Sequence, residues 1–186
     1  DFLKDLALVP PSAPAEGYFA FDGTPDSFFA PEQYKPSAVP LGIFLRDRTD
    51  ARFICPSLRA TEEQLARAPG NPTARLCVAE FVRLNESALY QPEETYDDAE
   101  LGGTVPLFAG RDYFRMDTYM AVLADANSRR DDKAYALYRA VNCYASSGNN
   151  HCGGKDVPKA QRKAWFATLK HDYAGTWWAN ELKYYW

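Results

Sequence analysis

The chain reads as a mainly α-helical protein, antiparallel helix pairs behind a proline-rich, aromatic N-terminal strap, and three observations predict this. Apolar residues recur at helical spacing through the last 75 or so residues. Prolines crowd the other end, with 8 of 13 falling in residues 1–58, among them Pro10, Pro11, Pro14, Pro25, Pro31, Pro36 and Pro40. Composition is otherwise that of a globular chain, at 46% hydrophobic and 25% charged over 186 residues, enough for a real core and unlike a disordered, collagenous or coiled-coil sequence.

The organisation expected is a strap over 1–58 and a helical domain over 59–186, the latter divided into a helical hairpin (59–90), an acidic, glycine-containing loop (91–110) and two helix pairs (111–186). In the strap, proline removes a backbone donor and biases the residue before it away from helix. Yet Tyr18, Phe19, Phe21, Phe28, Phe29, Tyr34, Phe44 and Phe53 are too many rings for a solvated tail, so the strap is expected to lie on the body. Short strands are expected near Leu41–Arg46 and Arg52–Cys55.

Thr61-x-x-Gln64 has the form of a capping box and predicts a helix running through Arg67. Asn71-Pro72 places a cap and then a proline where its missing N–H costs nothing, and Cys77, Phe81 and Leu84 share one face of the helix that follows, to about Asn85. Glu93, Glu94, Asp97, Asp98 and Glu100 precede Gly102-Gly103 in the loop. Next comes a stripe of Met116, Tyr119, Met120 and Leu123, then a helix capped by Asp131 with Ala134, Leu137, Tyr138, Val141 and Tyr144 inward. After a glycine-containing loop, Pro158 opens a third helix whose buried side is Phe166, Leu169 and Tyr173. Gly175 ends it, and Thr176 caps a last short helix carrying Trp178, Leu182 and Tyr185.

Four cysteines admit three pairings, of which Cys55–Cys77 with Cys143–Cys152 closes the shortest loops. Such bridges require an oxidising compartment, and the expected location is periplasmic or secreted; four reduced thiols are the alternative. A start at Asp1 with no basic-then-apolar leader behind it suits a processed chain as well as an arbitrary cut. The apolar runs are too short for a membrane span. A net charge of −4 argues against nucleic acid as the main partner.

Two successive helix pairs of this size fit a tetratricopeptide-type repeat. The segment Ala164–Ala179 resembles the helix-turn-helix join of tetratricopeptide-like proteins of bacterial envelopes, Phe-x-x-Leu-x-x-x-Tyr-Pro-x-Ser-x-x-Ala. Phe166, Leu169, Tyr173 and Ala179 match, with Ala174 in place of the proline and Thr176 in place of the serine. Asp132–Ala145 with Val157–Leu169 is similar to a group of uncharacterised proteobacterial envelope proteins. The resemblance covers residues 112–186 and implies a TPR-like solenoid fragment, a scaffold that holds a partner protein or peptide without catalytic residues or a cofactor of its own.

The leading expectation is therefore a non-catalytic interaction module that binds a protein or peptide through Tyr119, Tyr135, Tyr138, Trp165 and Trp177, with core packing the expected job of at least half of them. A second reading is a small envelope enzyme acting on cell-wall glycan, with Glu80 as general acid and Trp165, Trp177 and Trp178 as sugar-stacking rings; a Glu80–Arg83 pair is the plain alternative. A third is a structural subunit, which Tyr184-Tyr185-Trp186 would suit. Cys143, His151 and Cys152 lack zinc-ligand spacing, and no metal is expected. His151 and His171 are the available bases, neither Cys143 nor Cys152 lies in a cysteine-protease signature, there is no G-x-S-x-G elbow, and Gly153-Gly154-Lys155 is no P-loop. Asn85-Glu86-Ser87 is a formal glycosylation acceptor.

Charge divides unevenly: 9 basic and 17 acidic side chains up to residue 110, then 12 and 8. Lys155, Lys159, Arg162 and Lys163 cluster where the third helix begins. That cluster suits docking to an acidic partner or an anionic surface, or attraction between the acidic strap and the basic helices.

Overall fold

A computed structural model describes residues 2–13, 41–45, 50–85 and 113–186. The expectations for most of the strap and for the acidic loop at 91–110 lie outside these residues. The chain divides into two compact units, Asp1–Tyr90 and Gln91–Trp186, so the boundary expected after residue 58 falls inside the first. The described residues form seven α-helices and a 3-10 helix, and no strand.

In the first unit, α1 (Phe2–Leu6), the 3-10 helix (Leu41–Leu45) and α3 (Pro72–Leu84) all pack on α2 (Leu58–Arg67). The two strands expected here are not formed. Leu41–Leu45 coils so that Ile43 is buried and Phe44 stacks on Phe81 at 5.8 Å between ring centroids. Around Arg52 the chain turns too tightly for a strand: Asp50 Oδ1 accepts from the Arg52 amide and Asp50 O from the Phe53 amide, leaving an isolated bridge.

Helix α2 begins before the expected capping box. Ser57 is its cap, the Oγ accepting from the Ala60 amide, while Thr61 is buried one turn along with Leu58. A hydroxyl three residues into a helix is better placed to pack inward than to cap, because the backbone groups around it are already paired. Helix α3 starts as read: Asn71 Oδ1 accepts from the Ala74 amide and Pro72 follows. Cys77 and Phe81 are buried on its inner face, and Leu84 is half-buried. Cys55 is bridged to Cys77, tying the segment ahead of α2 to the middle of α3. Asn85 closes α3 by donating from Nδ2 to the Phe81 carbonyl at 2.8 Å. It is only 2% exposed, so its amide is committed to the helix end rather than available as a glycan acceptor.

The second unit comprises α4 (Arg115–Ala124), α5 (Arg130–Asn142), α6 (Lys159–Asp172) and α7 (Trp177–Glu181), with α5 in contact with the other three and α6 also against α7. A helix with three neighbours buries residues on more than one face. Ala134, Ala136 and Ala140 let the neighbouring backbones approach α5, and Tyr135, Leu137 and Val141 fill the spaces between. The start of α5 differs from expectation. Arg129 occupies the cap position and forks onto both oxygens of buried Asp132, at 2.9 and 3.0 Å, whereas Asp131 faces solvent. This pair holds the Arg129 guanidinium above its ordinary pKa, through the hydrogen bond and charge of Asp132.

Helix α4 is rotated relative to the stripe expected for it. Arg115, Met116, Tyr119 and Val122 face inward and Met120 is exposed. The rotation follows from what lies beneath: Arg115 turns in to donate from Nη2 to the His151 carbonyl at 2.5 Å, and the Met116 amide meets the Cys152 carbonyl. On α6, Trp165 and Leu169 are buried and Phe166 and Tyr173 are half-buried; the helix ends at Asp172, before Gly175. Thr176 caps α7 as expected, its Oγ1 accepting from the Ala179 amide.

Candidate functional site

The aromatic residues of the second unit separate into core and surface. Tyr119, Tyr135 and Trp165 are buried, whereas Tyr138 and Trp177 are half-buried. Three of the five residues singled out in sequence come together around α7, with Trp178 as the hub. Its ring centroid lies 4.7 Å from Tyr135, 5.2 Å from Tyr138 and 4.8 Å from Trp177. Tyr138 and Trp177 meet edge to face at 5.9 Å, a geometry that sets the positive ring edge against the negative face.

Sequence explains the assembly. Tyr135 and Tyr138 are one helical turn apart on α5, so they present one row to the neighbouring helix. The Thr176 cap fixes where α7 begins, and hence where Trp177 and Trp178 point. Arg139 completes the cluster. Its Nε donates to Tyr135 Oη at 2.9 Å and its guanidinium stands 5.2 Å from the Tyr135 and Tyr138 centroids. Arg139 was absent from the residues picked by sequence; its spacing four residues after Tyr135 on one helix is the signal that would have found it.

A second, smaller aromatic contact lies beside it in sequence. Tyr185 packs on Phe166 at 5.6 Å, Lys159 stands 6.0 Å over Tyr185 and Lys170 5.3 Å over Phe166, while Tyr184 is exposed.

Glu80 is buried in the first unit with both oxygens accepting from the Arg83 fork at 2.8 Å, and Arg83 also lies 3.5 Å from Asp50. A carboxyl group that gives a proton to a leaving group needs the opposite arrangement, a free edge facing a cleft. Cys143 and Cys152 are joined in the second disulfide, which takes both thiolates out of reach as metal ligands or nucleophiles. His151 Nε2 lies 2.8 Å from Ser147 Oγ in the same loop. Among the described residues there is no group of three or more metal-ligating side chains and no helix long and apolar enough to cross a membrane.

Comparison of the chain with family models, with curated proteins and with solved structures returns no match.

Proposed function

We propose that the chain is an exported, disulfide-stapled scaffold of tetratricopeptide type, and that its second unit docks a protein or peptide on the Tyr138–Trp177 surface. The observation that carries this reading is the backing of that pair. Both rings reach solvent, and both are held from behind by buried Trp178, with the Arg139 guanidinium against the Tyr138 ring. Rings fixed in this way lose little rotamer freedom on contact, the property that makes tyrosine and tryptophan efficient anchors. Two successive helix pairs, α4 with α5 and α6 with α7, support the repeat-type reading. The two cystines support an oxidising compartment, periplasmic or extracellular.

Selection of a random peptide library on the folded protein tests it. One recurrent sequence class with a Kd in the roughly micromolar range is expected, weakened at least about tenfold by Tyr138→Ala with Trp177→Ala. A library that yields no recurrent class, or a double variant that binds its peptide equally well, would overturn it. Both positions are half-buried, so the variant is expected to fold.

A further inference from the structure

Arg162 poses a separate electrostatic problem. It sits in the second turn of α6, is 8% exposed, and its guanidinium lies 3.9 Å from the Tyr144 ring centroid. Nη1 donates to the Gly148 carbonyl at 3.3 Å, but Nε is buried with no acceptor, and no carboxylate pairs with the guanidinium among the described residues. A buried cation without a counter-charge is costly, and most proteins supply a carboxylate in such a place.

Its surroundings add positive potential. Side chains of an α-helix lean toward the N-terminus, which carries Arg162 back to the start of α6. Tyr144, on which it stacks, accepts from the Val157 amide at 2.7 Å through its hydroxyl, one residue ahead of the Pro158 cap. That cap offers no side-chain acceptor, the first turn holds no acidic residue, and the Lys159 and Ala160 amides have no acceptor among the described residues. Lys155, Lys159 and Lys163 stand exposed around this end; Asp156 is the only carboxylate between residues 133 and 171 in sequence, and Asp117 of α4 approaches Gly154, beside Lys155.

We propose that Arg162, the open N-terminus of α6 and Lys155, Lys159 and Lys163 form a receptor for a phosphate-type oxyanion. Free amides at a helix N-terminus satisfy an anion's oxygens directly, with the helix dipole in the same sense. Against a guanidinium and three ammonium groups, a tetrahedral dianion neutralises more charge than a single carboxylate does and reaches more donors at once. The receptor shares no residue with the Tyr138–Trp177 surface, and either stands if the other fails.

The test is an amide-resolved NMR titration of the full chain with inorganic phosphate at low ionic strength, against sodium chloride of equal ionic strength. Saturable shifts confined to Gly148 and residues 157–163 are expected. Lys159→Gln with Lys163→Gln, both exposed, should weaken the binding at least about tenfold without altering the fold. Arg162→Gln should abolish it; if that variant unfolds, the lysine pair decides. Glycerol phosphate in place of phosphate identifies the source, binding more tightly if the natural ligand is an esterified headgroup and more weakly if it is the free ion. Absent shifts at residues 157–163, or shifts that grow linearly and equally at Lys4 and Lys183, would overturn the proposal.

Discussion

The two units each use one disulfide, and they use it differently. In the first, the link between α2 and α3 is short and built from local signals. The Asn71 amide donates to Ala68 O, Asn71 caps α3, and Arg75 Nε donates to Pro69 O at 2.8 Å. Cys55–Cys77 lies outside this turn and fastens the incoming chain to α3. In the second unit the link between α5 and α6 is long, and Cys143–Cys152 lies within it. There the bridge shapes the loop, and the loop is bound on three sides: by Arg115 at His151 O, by Arg162 at Gly148 O, and by Tyr144 at the Val157 amide. A hairpin with a good turn needs its cystine elsewhere. A hairpin with a long connection needs it inside.

Removing each bridge tests this contrast most strongly. Chain entropy alone assigns about 3.4 kcal/mol to the 22-residue separation and about 2.6 kcal/mol to the 9-residue one. All four tryptophans lie between residues 165 and 186, so their fluorescence reports the second unit. Cys143→Ser with Cys152→Ser is expected to shift the fluorescence-detected urea midpoint downward, whereas Cys55→Ser with Cys77→Ser shifts a transition seen by far-UV circular dichroism and leaves the fluorescence one in place. Equal response of both probes to both variants would mean that the units unfold as one.

Alanine at a glycine in each link sharpens it. Gly153 has φ of 69° and an added Cβ would lie 2.3 Å from Phe114 Cδ1, a contact that holds the loop against the start of α4. Gly153→Ala is expected to cost about 2 kcal/mol in the fluorescence-detected transition. Gly70, in the short link, has no atom within 4 Å of its notional Cβ and no positive φ, so Gly70→Ala is expected to be neutral or stabilising by about 0.5 kcal/mol. Loss of stability at Gly70 would remove the distinction between an open turn and a clamped loop.

The smallest effect concerns Glu62 on α2, whose carboxyl is pushed above its ordinary pKa by desolvation. A carboxyl raised in the folded state binds protons more readily there than in the unfolded chain. Its contribution therefore favours folding at low pH and is lost as pH rises through the carboxylate range. Glu62→Gln is expected to raise the neutral-pH melting temperature of the first unit slightly and to flatten its decline between about pH 4 and 7. An unchanged pH slope would show that the partly exposed group is solvated well enough to carry no penalty.

Some of this was written in short stretches of the chain. Asn71-Pro72 and Thr176 act within three residues of themselves, and they cap helices where the sequence places them. Both cystines follow the local pairing, since the shorter loops lose least entropy on closing. Where sequence reading missed, packing decided, in two cases through a distant group. Ser57 rather than Thr61 caps α2, because Thr61 packs inward with Leu58. The face of α4 is turned by the His151 and Cys152 carbonyls, 36 residues away from Arg115 and Met116. Leu41–Leu45 coils instead of extending, where Phe44 finds Phe81.

The sequence by itself determined the helical class and the positions of most helices, and it favoured the local cysteine pairing, because periodicity, capping and loop-closure entropy act over a few residues at a time. Only the tertiary structure decided which aromatic rings are core and which reach the surface, and that Arg162 is buried with no carboxylate paired to it among the described residues. Burial depends on which neighbour each helix meets, and α5 meets three. An aromatic stripe looks the same in sequence whether its rings pack inward or wait for a partner, and the fold alone separates Tyr135 from Tyr138.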